Sequence, residues 1–185
     1  QENSYSEDEQ TQKEKIVIDF LGNDDYKTIW DLGANVGKFS LLASKVSDLV
    51  VAMDRDPTAI EKCYQECKKM TEPRILPLIM DLTNPSPGSG WENQERLSLI
   101  DRGPADMVLV LALVHHLAIG SNLPFGYIAR FLKNIGKAVI VEFVSKADVQ
   151  VQKLLTFRED IFINYTQAAF ENEFRKIFKI KRKQR

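Results

Sequence analysis

Most side chains of this sequence that could do chemistry stand where an apolar run gives way to a turn. Asp31 lies in Ile29-Trp30-Asp31-Leu32, which meets a turn holding Gly33, Ala34, Asn35 and Gly37. Asp54 closes the run Leu49–Met53 and is followed by Arg55, and Asp81-Leu82 closes the run Ile75–Met80. The pair His115-His116 follows the most hydrophobic run, Ala105–Ala112, and the sequence contains no other histidine. A strand, a glycine turn and a helix N-terminus form a nucleotide-binding corner, because glycine lets backbone N–H groups approach a ligand that a Cβ would hold off. Asn35 fits the same turn, since asparagine tolerates left-handed backbone.

The spacing narrows the ligand. A dinucleotide site uses G-x-G-x-x-G to receive a pyrophosphate on backbone amides and a helix dipole. Here Asp31 precedes Gly33, Asn35 and Gly37, and the third glycine is missing. An acid in front of the turn suits a cation, such as a sulfonium bearing an α-ammonium group, better than a diphosphate. Asp54 stands about 20 residues beyond the turn, where an acid at a strand end bonds ribose hydroxyls. Histidine titrates near neutrality, so either His115 or His116 could serve as a general base, with His115 the first choice; a hydrogen-bonded structural role is the competing reading.

The elements that must hold these residues follow from periodicity. Thr28–Leu32, Asp48–Met53, Arg74–Met80, Ala105–Ala112 and Gly136–Phe143 read as strands, nearly continuous in apolar residues as in a parallel sheet covered on both faces. Pro77 inside the third places it toward an edge, and the fourth should be central. Between them, Gly37–Val46, a helix capped by Asp56-Pro57, Glu92–Ile100 and Leu123–Leu132 read as helices; Val149–Leu155 and Gln167–Phe174 follow. Before them, Lys13–Leu21 forms a short amphipathic helix with Ile16, Ile18, Phe20 and Leu21 inward, either lidding the site or merely packing, and residues 1–12 are polar and frayed. Ile177–Lys181 starts like a sixth strand. Trp91 either anchors its loop or lines a pocket, and Arg158, Glu159, Asp160 and Tyr165 either meet a substrate or form a solvated linker.

With 185 residues, 44% of them hydrophobic, residues 13–185 can build one α/β domain. A net charge of −1 exerts no pull toward nucleic acid or anionic membrane, and no apolar run nears the roughly 20 residues of a membrane span. Cys63 and Cys67, four apart on a helix, cannot close a zinc site, so no metal is expected, and reduced thiols point to the cytoplasm. The basic tail Arg175–Arg185 could touch phosphates but reads better as a solvated end. A chain that opens on Gln1 rather than Met points to a piece of a longer protein.

Together these pieces resemble the class I S-adenosylmethionine-dependent methyltransferases, over about residues 28–181. The matching signals are Asp31-Leu32-Gly33-Ala34-Asn35-Val36-Gly37, Asp54, Asp81-Leu82, and a fourth strand running into His115-His116-Leu117. Asp81–Gly88, Arg102–Asp106 and Arg158–Phe162 also look like the methyltransferase domains related to nodulation proteins. The resemblance implies a doubly wound, three-layer, mostly parallel Rossmann-like sheet whose closing antiparallel strand is lacking here. It implies S-adenosyl-L-methionine as cofactor: Asp31 and the Gly33–Gly37 backbone hold the methionine part, Asp54 with Arg55 lies at the ribose, Asp81 and Leu82 take the adenine, and Leu111 to His116 face the methyl group. It implies methyl transfer to a small molecule or a protein. A non-catalytic cofactor-binding module and a nicotinamide-dependent oxidoreductase are the alternatives.

Overall fold

In the computed structural model, which describes residues 7–71, 73–156 and 159–184, five parallel strands form one sheet in the order β3-β2-β1-β4-β5. They are β1 (Tyr26–Leu32), β2 (Ser47–Asp54), β3 (Ile75–Ile79), β4 (Ala105–Val110) and β5 (Gly136–Val141). β3 does lie at an edge, and the central strand is β1, with β4 beside it. Successive residues point to opposite faces, so Trp30, Leu32, Val51, Met53, Val108 and Val110 join one core, and Ile29, Val50, Ala52, Met107 and Leu109 the other. The first core is covered by α4 (Phe125–Ile135), α5 (Val149–Leu155) and α6 (Gln167–Arg175). The second is covered by α1 (Glu7–Leu21), α2 (Lys38–Ala43) and α3 (Pro57–Cys67). The result is the expected doubly wound α/β sandwich.

Strand order reverses between β1 and β4: from β1 the chain runs outward through β2 to β3, then crosses back to β4 and β5. Loops leaving β1 and β4 therefore diverge to opposite faces, and a crevice opens above the carboxyl ends of these strands.

Three expectations are corrected by local geometry. Glu92–Ile100 is not a helix: a single 3-10 turn spans Trp91–Asn93, Glu92 and Asn93 have positive φ, and Ser89 pairs with Arg96 in an isolated antiparallel bridge. Left-handed residues reverse the chain there instead of winding it, and Trp91 is 78% exposed at the tip. Ile177–Lys181 is not a strand. The amides of Ile177 and Phe178 both donate to the Phe174 carbonyl, and the Phe178 ring stacks on Phe174, so this segment finishes α6 and covers its core. The first helix begins at Glu7, not Lys13, and the side chains it buries are Val17 and Leu21 at i, i+4, with Ile18 49% exposed. Residues 1–6 and Arg158 lie outside the described residues. Tyr165 is buried and donates to the Val144 carbonyl inside an aromatic cluster with Phe125 and Phe143, so it is a packing residue.

Gly37 enters α2 at φ 82°, and a Cβ there would stand 2.4 Å from the buried Cys63 sulfur. Gly22, which ends α1 at φ 67°, faces open space. Gly37→Ala combines left-handed strain with overpacking and should cost about 2–4 kcal/mol, against about 1 kcal/mol for Gly22→Ala. Urea denaturation of the two variants side by side checks the difference.

Candidate functional site

A cavity of about 220 Å³ occupies the crevice at the reversal point. Four of the five strand ends contribute to it. β1 supplies Asp31, and its turn supplies Gly33, Ala34 and Asn35; β2 supplies Asp54 and Arg55; β3 leads into Asp81 and Leu82; β4 leads into Leu111, Ala112 and Leu113. His116 completes the wall. Of the positions expected at a cofactor, Gly37, Val114 and His115 stand outside the lining, and Gly37 packs instead against α3.

The turn is built from the sheet's own spare hydrogen bonds. The N–H groups of Gly33 and Ala34 both donate to the Met53 carbonyl, at 2.8 and 3.0 Å. Asn35 sits at φ 51° and donates its N–H to Asp54 Oδ2 at 2.8 Å, while Asp54 Oδ1 accepts from the Asp56 N–H at 2.9 Å. Asp54 thus ties the β1 turn to the end of β2. A carboxylate has about four acceptor positions, so two remain for ligand hydroxyls. Asp81 is exposed and accepts from the Thr83 amide and hydroxyl through Oδ1, which holds its pKa below the usual carboxylate range.

Asp31 is different in kind. It is 2% exposed, and the Ser40 hydroxyl donates to its Oδ2 at 2.6 Å. Burial raises its pKa to about 6, the Ser40 bond and Lys13 oppose the rise, and Asp54 adds to it. A carboxylate held this close to neutrality at a cavity wall is stabilised by an incoming cation. The chemistry of the donor set therefore fits S-adenosylmethionine: cation acceptor at β1, hydroxyl acceptor at β2, amine acceptor at β3.

The two histidines part company. His116 lines the cavity half-buried, and desolvation first, then Arg55, lowers its pKa below 6.5. His115 turns away from the cavity, is 2% exposed, and has an Nδ1 without a partner; burial and His116 push its pKa down to about 4. The rings lie 4.2 Å apart at the start of a π-helical turn, His116–Gly120. Of the two histidines, His116 lines the cavity and His115, the first choice from sequence, does not.

Two lining features escaped the sequence reading. Ala112 has φ 49°, costly for a residue with a Cβ, and its N–H donates to Glu142 Oε2 at 2.6 Å. The same oxygen lies 2.7 Å from Lys13 Nζ on α1. Lys38 pairs with Glu14 at 2.5 Å, which ties α1 also to the helix that follows the glycine turn. The available signal was register: Lys13 is on the same helical stripe as Val17 and Leu21, a polar residue on an inward face.

Asp31 carries a test of its own. Its folded pKa lies above the ordinary 3.8, so the native state holds the proton more tightly than the unfolded chain and loses stability as pH rises from about 4 to about 6. Asp31→Asn should therefore raise stability above pH 6 by about 2–3 kcal/mol, with the gain vanishing near pH 4. Thermal melts across that range read it, and the same variant should bind cationic ligands more weakly.

No protein-family model matches the chain. In sequence it is similar to the nodulation protein NoeA of Rhizobium meliloti (strain 1021), with 37% identity over 169 residues, 91% of this chain and 35% of that protein. The chain thus spans about a third of that relative's length. In structure it is similar to the cyclopropane synthase MmaA2 from Mycobacterium tuberculosis, with a TM-score of 0.62 at 16% identity over 100% of this chain and 66% of that one. It is also similar to Haemonchus contortus phosphoethanolamine N-methyltransferase 1, solved with phosphoethanolamine and S-adenosylhomocysteine, with a TM-score of 0.50 at 19% identity over 71% of this chain and 24% of that one.

Proposed function

The chain has the fold of the class I S-adenosylmethionine-dependent methyltransferases and is related in sequence to the nodulation protein NoeA, and on that premise we propose that it transfers the methyl group of S-adenosylmethionine to a small-molecule or protein acceptor. One observation carries the reading: a buried carboxylate, pushed up to about 6, stands at the switch point of a cavity whose far end offers two further strand-end carboxylates. The cofactor supplies a methyl group on a sulfonium that is already a good leaving group.

The protein's task is then mainly orientation and exclusion of water. Asp31 receives the α-ammonium group, Asp54 the ribose hydroxyls, and Asp81 with the Leu82 amide the adenine edge. Gly33, Ala34 and Asn35 supply the close backbone, with Gly37 setting its curvature, and Arg55 stands over the nucleoside. Leu111, Ala112 and Leu113 press the reactive end from β4. His116, neutral at physiological pH because burial and Arg55 disfavour its charge, is placed to take a proton from an acceptor hydroxyl or ammonium group. Cys63 and Cys67 are both free and buried, which suits a reducing compartment and supports the cytoplasm. Among the described residues no helix is long and apolar enough to cross a membrane.

Calorimetric titration with S-adenosylmethionine and S-adenosylhomocysteine should show saturable binding. Asp54→Ala removes a charged hydrogen-bond acceptor worth about 1.5–3 kcal/mol, so affinity should fall about ten-fold or more. Absence of saturable binding by the wild type would sink the proposal. In an NMR titration His116 should lose its proton below pH 6.5 and His115 at still lower pH, with the cationic cofactor pressing the His116 value down further.

A further inference from the structure

A second hollow shares no lining residue with the crevice. This groove, of about 450 Å³, runs between α4 and the C-terminal end of α6, with Arg130, Lys133 and Asn134 on one side and Glu173, Lys176 and Ile177 on the other. Arg130 and Lys133 stand three apart on α4, so their side chains are neighbours on the exposed face of the helix. Like charges placed there repel, yet among the described residues no carboxylate pairs with either one. Each cation is laid over an aromatic ring instead: the Arg130 guanidinium lies 4.5 Å from the Tyr127 centroid, and Lys133 Nζ lies 6.0 Å from that of Phe178. Such contacts fix a charged head without neutralising it. Glu173 is the one acid of the lining, and Lys176 already engages it at 2.5 Å. Three positive charges thus face one negative charge across the groove, in a chain whose net charge is −1.

We propose that this groove docks an acidic segment of a partner protein, whose Asp or Glu side chains enter between α4 and α6. The proposal does not depend on the S-adenosylmethionine reading. Charge complementarity sets the sign of the partner, and the shape and extent of the charge set its class. A guanidinium presents a planar fork that matches a carboxylate, Lys133 adds a point charge, and the Asn134 amide adds neutral donors. Ile177 offers apolar surface between them. Nucleic acid and anionic membrane fit less well. A phosphate backbone carries a charge every few ångströms, and anionic lipid is met by clusters of about 4–8 basic residues, whereas only three cations line this groove. The basic tail does not extend the field freely, because Asp19 engages Arg182 and Glu171 engages Lys183. The Tyr127 ring, which could stack a base, carries the Arg130 guanidinium over its face.

Fluorescence anisotropy with fluorescein-labelled octaglutamate, at about 50 mM salt so that exposed charges are weakly screened, tests this. The wild type should bind saturably. Arg130→Gln and Lys133→Gln should each weaken binding about two- to five-fold, as for exposed ion pairs, and the double variant about ten-fold. Arg130→Lys should keep most of the affinity. Lys68→Gln is the matched control: Lys68 also lies over a ring, that of Tyr64, but on α3 in the opposite layer, and its loss should change nothing. All four side chains are exposed or replaced conservatively, so thermal melts should match the wild type. The proposal is overturned if octaglutamate does not bind, or if Lys68→Gln weakens it as much as Arg130→Gln and Lys133→Gln do. It is equally overturned if octathymidylate, or vesicles with about 30% phosphatidylserine, bind the groove more tightly than the peptide.

Discussion

Burying a carboxylate beside the end of a central strand is costly, and the architecture around Asp31 answers that cost in parts. Ser40 donates one hydrogen bond from the first turn of α2, Lys13 contributes a nearby positive charge from α1, and the cavity leaves room for a cation. Without such partners a carboxylate in this position would stay protonated. Its pKa near 6 shows that the protein alone only partly satisfies it. The site is accordingly less stable empty than an uncharged replacement would be, which is the usual relation between binding sites and folding stability.

The surrounding backbone is shaped for close approach. Asn35 and Ala112 both take positive φ on opposite walls of the cavity, and each donates its N–H to a carboxylate at the end of a neighbouring strand, Asp54 and Glu142. The two acids play matching structural roles on either side of the switch point. Each fixes a strained turn, and Asp54 also lines the cavity. Strain of this kind persists only where the neighbouring structure over-determines it. Here the parallel ladder does so, through Met53 accepting from Gly33 and Ala34 and through Val110 accepting from the Glu142 N–H.

α1 combines apolar packing with charge. Its C-terminal half packs as an ordinary amphipathic helix, and its N-terminal half carries Gln10, Lys13 and Glu14 on the face that would otherwise continue the apolar stripe. The C-terminal segment reinforces it, with Arg182 bonded to Asp19 and resting 4.9 Å from the Phe20 ring centroid. The helix over the cavity is therefore held from two directions, by charge at the ligand end and by the tail at the other.

The sequence by itself determined the strands, their parallel pairing, the glycine turn and the carboxylates at strand ends, because these depend on local rules: apolar runs of strand length, glycine and asparagine where φ turns positive, Asp56-Pro57 as a helix start. Strands end where apolar runs end, so the acids Asp31, Asp54 and Asp81 could be placed on one edge of the sheet without coordinates. What local rules could not decide was facing. His115 and His116 are neighbours in sequence, yet only the packing of the π-helical turn against α5 turns one into the cavity and buries the other. Gly37 reads as part of a ligand cradle and turns out to admit the Cys63 sulfur, a contact across 26 positions that no spacing rule contains. Ile177–Lys181 has strand composition, but the Phe174 carbonyl claims its first amides. Lys13 and Glu142 lie 129 residues apart, and their meeting is a product of the doubly wound topology, which brings the first helix across the ends of β1, β4 and β5.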